Sequence, residues 1–165
     1  MPEKQWVFDT VVLSNFVFSE SIFLLKQRYT GRGVITTQVY DEVTSGIPDY
    51  PELEQVLRLV EDDIFRLVSL TKAERKHFIE LTGSLGKGEA SSIAAAKSKK
   101  AIMVTDDRLA RNYCSGMEVP VTGTIGILKA SITDGMISLA NADRILKKMI
   151  KRGYYSPVRS LKDIS

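Results

Sequence analysis

The chain has 165 residues, enough for one domain with a sizeable core. Apolar residues make up 44% and charged residues 26%, with a formal net charge of +3, so nucleic acid is a permitted partner but not a required one. A single cysteine, Cys114, excludes an intrachain disulfide and a zinc knuckle.

Gln5 to Phe8 reads as a short buried strand, with Asp9 and Thr10 at its exit. Residues 11–28 carry apolar side chains at helical spacing, as one helix or as two broken at Ser19. Gly31-Arg32-Gly33 is a turn, and residues 34–36 form a second strand. Thr36 or Thr37 then caps a helix running through Val39, Glu42 and Val43. Residues 46–51 form a loop with two prolines. Residues 52–60 form an amphipathic helix, with Leu53, Val56, Leu57 and Val60 at i, i+3, i+4 and i+7. Residues 65–70 are a strand candidate, and Thr71 to Glu74 is a capping box opening a helix that ends near Thr82. Residues 83–88 are a glycine-rich joint before a helix over 89–98. A strand over 102–105, a helix over 107–114, a last strand over 119–122 and helices over 123–132 and 138–152 complete the pass. Strands alternating with helices predict an α/β fold with a mainly parallel sheet. The start Met1-Pro2-Glu3-Lys4 lacks the profile of a secretory signal, and no apolar stretch approaches membrane-spanning length. The expected setting is cytoplasmic, with no membrane partner.

Four carboxylates stand where short apolar runs stop. Asp9 follows Trp6-Val7-Phe8, and Glu42 comes soon after Val34-Ile35. Glu89 lies in Gly86-Lys87-Gly88-Glu89-Ala90-Ser91, and Asp107 closes Ile102-Met103-Val104-Thr105-Asp106-Asp107. Each has an ordinary explanation alone. Asp9 and Asp107 suit helix N-caps, Glu89 suits a helix dipole, and Glu42 suits a solvated face. Together they carry more, because ligands of a parallel α/β sheet gather beyond the carboxyl ends of its strands. Massed carboxylates repel one another unless a cation joins them. Oxygen donors without a useful His or Cys point to Mg²⁺ or Mn²⁺, and such a site suits in-line attack at phosphorus.

The order and spacing of these motifs resemble the PIN-domain ribonucleases, similar to the VapC-type toxins of toxin–antitoxin pairs. The resemblance runs from Val7-Phe8-Asp9-Thr10 through Thr36-Thr37-Gln38-Val39-Tyr40-Asp41-Glu42-Val43 and the two later acidic motifs to Gly123-Thr124-Ile125-Gly126-Ile127-Leu128. It implies a three-layer α/β/α sandwich with a mainly parallel central sheet. It also implies Mg²⁺- or Mn²⁺-dependent cleavage of RNA that leaves a 5′-phosphate and a 3′-hydroxyl. The four acidic positions of the family fall on Asp9, Glu42 rather than Asp41, Glu89, and Asp107 rather than Asp106. Asp106 is an adjacent candidate ligand, and Thr105 and Asn15 are candidates to orient ligands or water. Residues 1–153 are expected to form one nuclease domain and residues 154–165 a C-terminal tail. The implied partners are an RNA substrate, a cognate antitoxin protein and a second copy of the chain. Other readings of the resemblance are an RNA-processing nuclease without a toxin role and a non-catalytic scaffold that binds RNA or protein. No acidic position has been lost, which argues against the scaffold.

Rival chemistries lack their residues. A haloacid dehalogenase needs a second Asp two residues after the first, where Val11 stands. A response-regulator receiver needs an acidic pair after the first strand. A phosphate loop fails at Leu81 and Gly88. Ser–His–Asp chemistry has only His77 to draw on. Lys87, Arg108 and Arg111 flank the expected site as weaker RNA contacts. Lys147, Lys148, Lys151 and Arg152 form a basic face opposite Ile145, Leu146, Met149 and Ile150, suited to RNA or simply to solvent. The stripe from Leu53 to Val60 reads as core, or as a groove for an antitoxin helix or dimer partner.

Overall fold

The computed structural model describes residues 3–164. Met1 and Pro2, at the start of the signal reading, and Ser165, at the end of the expected tail, lie outside the described residues.

Five strands, β1 (Trp6–Phe8), β2 (Gly33–Thr36), β3 (Phe65–Val68), β4 (Ile102–Val104) and β5 (Val121–Thr122), form one sheet. Every pairing is parallel, in the order β3-β2-β1-β4-β5. The described helices are α1 (Thr10–Phe18), α2 (Ile22–Tyr29), α3 (Thr37–Gly46), α4 (Glu54–Glu61), α5 (Lys72–Leu81), α6 (Lys87–Lys99), α7 (Arg108–Gly116), α8 (Thr124–Thr133) and α9 (Leu139–Lys151).

The strands are short and apolar throughout because both faces of the sheet are covered. Alternate side chains enter opposite layers. Phe8, Ile35 and Val104 pack with α1 to α4, α8 and α9. Val7, Val34 and Met103 pack against Leu81 of α5, Ile93 of α6 and Cys114 of α7. This is the α/β/α sandwich that the sequence predicts. Phe16 is fully buried on the larger side, so truncating it to alanine costs about 3–5 kcal/mol.

Several boundaries moved for local reasons. The break at Ser19 is real, because the Ser19 backbone N–H and hydroxyl both donate to the Asn15 carbonyl. Glu20 then takes a left-handed φ of 58°, and α2 starts afresh. Gly33 belongs to β2 rather than to the preceding turn, and Gly46 to α3 rather than to the following loop. Pro51 starts a 3-10 turn over Pro51–Leu53, so α4 begins later than predicted. Leu53 and Val56 of its apolar stripe are buried, but so is Leu59, which the stripe omitted, while Leu57 and Val60 are half-buried. The Thr71–Glu74 capping box is present, with reciprocal bonds of 3.1 and 2.8 Å. His77 is exposed.

After α9 the chain is tied down. The Tyr154 N–H donates to the Met149 carbonyl at 3.0 Å, and the Leu161 N–H to Asp143 at 2.9 Å. Leu161 is buried at the start of a 3-10 turn over Leu161–Ile164. No helix among the described residues is long and apolar enough to cross a membrane.

Candidate functional site

Strand order places the site. The chain moves outward from β1 to β2 and β3, then returns to β4 on the other side of β1 and continues to β5. The connections leaving β1 and β4 therefore part, and a crevice opens at the carboxyl ends of these neighbours. Asp9 stands at the exit of β1, and Thr105, Asp106 and Asp107 at the exit of β4.

Asp9 is 2% exposed. It caps α1 by accepting from the Thr10 N–H at 2.7 Å, and its other oxygen accepts from the Thr105 hydroxyl at 2.9 Å. The Thr105 hydroxyl in turn accepts from the Asp107 N–H at 3.1 Å, so one threonine fixes both strand-end carboxylates. Asp107 caps α7 through the Ala110 N–H at 2.8 Å. Glu89 curls back to the Gly86 N–H at 3.3 Å, at the start of α6. Glu42, on α3, accepts from the Thr10 hydroxyl at 3.1 Å. The Thr36 and Ser91 hydroxyls, 2.8 Å apart, pin the start of α6 to the end of β2 and so set the two glutamates on neighbouring helices.

The capping reading of three of the carboxylates is visible in the structure. Asp9, Glu89 and Asp107 satisfy helix N-termini, and they also share an edge of the sheet. Asp9, Glu89, Asp106 and Asp107 line a cleft of about 610 Å³ with Asn15, Arg108 and Arg152. Glu42 faces a second hollow of about 490 Å³ with Thr10, Asp41 and Lys87. Thr10, which follows Asp9 in the chain, borders the Glu42 hollow and donates to Glu42.

Burial raises the Asp9 carboxyl to about 7, helped by the charges of Glu89 and Glu42 and opposed by the bonds from Thr105 and Thr10. Glu89 is also raised, first by burial and then by the charges of Asp107 and Glu42, against the bond from Gly86. None of Asp9, Glu42, Glu89 and Asp107 forms an ion pair among the described residues. The four are thus a like-charged group that no protein cation answers.

Among the described residues, no three carboxylates stand close enough to hold one ion as the side chains lie. The donor set nevertheless suits a hard cation, since it is all oxygen and negatively charged. The backbone also lets Glu42 approach the start of α6 closely. A Cβ on Gly88 would sit 2.3 Å from Glu42 Oε1, so only glycine lets this carboxylate lie against the start of α6.

Asp106 has a different role. It accepts from the Thr124 N–H at 2.8 Å and from the Thr124 hydroxyl at 2.6 Å, and Asn15 donates to it at 3.3 Å. It anchors the start of α8. A Cβ on Gly123 would meet Asp106 Oδ1 at 2.4 Å and the Thr105 carbonyl at 2.9 Å, which explains the glycine of the Gly123-Thr124 pair. Asn15 therefore orients Asp106 and also donates to the Thr124 hydroxyl at 3.2 Å.

The basic residues divide. Lys87 borders the Glu42 hollow, while Arg108 borders the main cleft and Arg111 an adjoining hollow. On α9, Lys147 pairs with Asp143, Lys148 with Glu20 and Arg152 with Glu52, so the expected basic face is largely answered by protein acids. Arg152 also lies 4.4 Å over the Phe18 ring, against the acidic cleft. Sequence reading missed Thr10, Gly88 and Thr124 as partners of the carboxylates. It also missed Tyr154 and Tyr155, which border the cleft from beyond α9. Their only signal was adjacency to the acidic motifs, which the tyrosines lack.

A family model described as PIN domain (DUF3368) matches residues 5–165. No curated protein matches the chain by sequence. Among solved structures, the chain is similar to a chain of DNA-bound VapBC from Salmonella typhimurium. That match has a TM-score of 0.53 and 17% identity, and covers 74% of this chain and 99% of the other. It is similar also to a chain of VapBC2 from Rickettsia felis bound to a DNA fragment from its promoter. There the TM-score is 0.50 and identity 13%, over 72% and 97% of the two chains. At these identities the likeness is one of fold.

Proposed function

The chain belongs to the PIN-domain family, and from that premise we propose that it is a metal-dependent endoribonuclease, the toxin of a toxin–antitoxin pair. The observation that carries the nuclease reading is Asp9. It is a buried carboxylate beside two glutamate charges, with no cation of the protein to answer it. Burying such a group is costly unless a ligand of opposite charge repays it.

Asp9, Glu42, Glu89 and Asp107 would hold Mg²⁺ or Mn²⁺. Bound there, the ion would lower the pKa of a coordinated water and offset charge on the phosphate oxygens. The rest of the site is positioning by the chain itself. Thr105 holds Asp9 and Asp107 in register, Thr10 holds Glu42, and the Gly86 N–H holds Glu89. Each of the last three carboxylates keeps an oxygen outside those bonds. Arg108 and Lys87 flank the openings and supply positive charge for a phosphodiester backbone. Hydrolysis joins the water oxygen to phosphorus and releases the 3′ oxygen as a hydroxyl.

The toxin reading rests on the shared fold with the VapBC chains, and an antitoxin is the protein partner it implies. A cytoplasmic setting and a homodimer accompany it. The nuclease is tested by cleavage of single-stranded RNA with Mn²⁺. Asp9→Asn and Asp107→Asn are expected to lose more than about 100-fold in rate. Variants that cut as fast as the parent sink the assignment. The toxin role is tested by expression in a bacterial host: growth arrest that Asp9→Asn abolishes supports it, and unimpaired growth at high expression of an active enzyme removes it.

A further inference from the structure

Beyond the acidic cleft, away from the Glu42 hollow, lies a third hollow of about 380 Å³. This hollow and the cleft share Asp106, Arg108, Tyr154 and Tyr155, which form the ridge between them. The far walls of the hollow are Ile125, Pro157 and Arg111. Its size falls within the range of about 300–1,000 Å³ typical of small-ligand pockets.

Tyr155 is 95% exposed, so its ring contributes little to the core. It is nonetheless held on a fixed segment. The chain is tied at Tyr154 to the end of α9, the Val158 N–H donates to the Ser156 hydroxyl at 3.2 Å, and Leu161 is buried beyond. A flat ring on a fixed strap binds a flat partner at small entropic cost. Arg108 and Arg111 form no ion pair within 4.0 Å among the described residues, although both border this hollow. The carboxylate of Asp106 is engaged by Thr124 and Asn15. The hollow therefore offers an aromatic face and two unanswered guanidinium groups, one ridge away from the carboxylates.

We propose that this hollow is a nucleobase subsite, in which Tyr155 stacks on the base next to the scissile phosphate and Arg111 meets the following phosphate. The subsite takes one unpaired nucleotide, because a base within a duplex has no free face for the ring. The subsite therefore needs an unpaired base next to the scissile phosphate, and it rests on the ribonuclease reading above. Tyr155 is a binding residue here, not a member of the acidic group.

The test uses a fluorescein-labelled 12-nucleotide single-stranded RNA of random sequence. Binding is followed by anisotropy in an Asp9→Asn background, and cleavage with Mn²⁺ in the parent background. Stacking of one base on an aromatic ring predicts that Tyr155→Ala weakens binding and raises KM on the order of 5- to 100-fold, with kcat changed less than about threefold. Tyr155→Phe keeps the ring and is expected within about twofold of the parent. Arg111→Met is expected to weaken binding and to flatten its dependence on salt. Because Tyr155 is exposed, the alanine variant is expected to melt with the parent. If the parent cuts RNA while Tyr155→Ala matches it in affinity and KM, the subsite is wrong and the nuclease stands. If the parent does not cut but binds RNA in a Tyr155-dependent way, the nuclease reading fails and with it the placement beside a scissile phosphate, while base binding at Tyr155 stands. Absence of both cutting and binding overturns both.

Discussion

Asp9 combines two demands that conflict. As the cap of α1 at the end of a buried strand it must leave water, and as a neighbour of Glu89 and Glu42 it must bear their repulsion. Its carboxyl is ordinarily near 3.8 and lies here at about 7. Between those values the folded chain holds a proton that the unfolded chain releases. Stability from this group therefore falls as pH rises through the window, and the full penalty applies above it. Asp9→Asn, in chelator, is expected to melt above the parent at pH 8 by a few degrees, with the gap closing by about pH 4, followed by calorimetry. The same substitution is expected to abolish cleavage, so stability and activity are expected to move in opposite directions. Thr105→Val removes the bond that favours ionised Asp9 and leaves the Asp107 N–H unanswered. The Asp9 carboxyl then rises further, and the acid limb of a pH–rate profile shifts to higher pH, with a loss of about 10–100-fold at neutrality. Gly88→Ala drives a methyl into the Glu42 carboxylate. The far end of a flexible side chain yields easily, so melting is expected within about 1 kcal/mol of the parent while cleavage and Mn²⁺ affinity drop.

At the scale of elements, the site is a meeting of helix starts. α1 and α7 each begin at a carboxylate that caps its own helix, and Glu89 in the first turn of α6 accepts from the Gly86 N–H before that helix. Capping and metal binding can be separated, because asparagine caps as well as aspartate does. Asp107→Asn is expected to keep the melting temperature of the parent and lose cleavage. Asp107→Ala is expected to lose cleavage and about 1 kcal/mol of stability as well, read by chemical denaturation. These caps were legible in the sequence because each is a local matter, a carboxylate within three residues of the N–H it accepts. The Ser19 break and the Thr71–Glu74 box were legible for the same reason. The inward face of α4 was read only in part: Leu59, three residues after Val56, is buried, while Leu57 and Val60 are half-buried. The cations of α9 read as a free basic face, because their acidic partners Glu20 and Glu52 lie on distant parts of the chain.

At the scale of the molecule, the reversal of strand order between β1 and β4 turns two separate strand exits into one crevice. The carboxylates gathered there repel one another, and a cation that binds only the folded state is expected to relieve that repulsion. At a concentration about 100 times its dissociation constant, Mn²⁺ adds about 2.7 kcal/mol, or roughly 5–10 °C in melting temperature. Asp9→Asn is expected to lose most of that shift, and the absence of any shift in the parent at millimolar Mn²⁺ would favour a scaffold over an enzyme.

What the sequence determined by itself was the alternation of strands and helices, the caps, and the order of the four carboxylates along the chain. Each depends on residues a few positions apart, and steric and hydrogen-bonding rules act over that distance. Only the tertiary structure shows that Asp106 accepts from Thr124, 18 residues onward. It also decided that Glu42 reaches the site through Thr10, and that Tyr154 and Tyr155 border the cleft. Those juxtapositions follow from which strands lie side by side, and strand order is set by the packing of the whole core, which no local pattern contains.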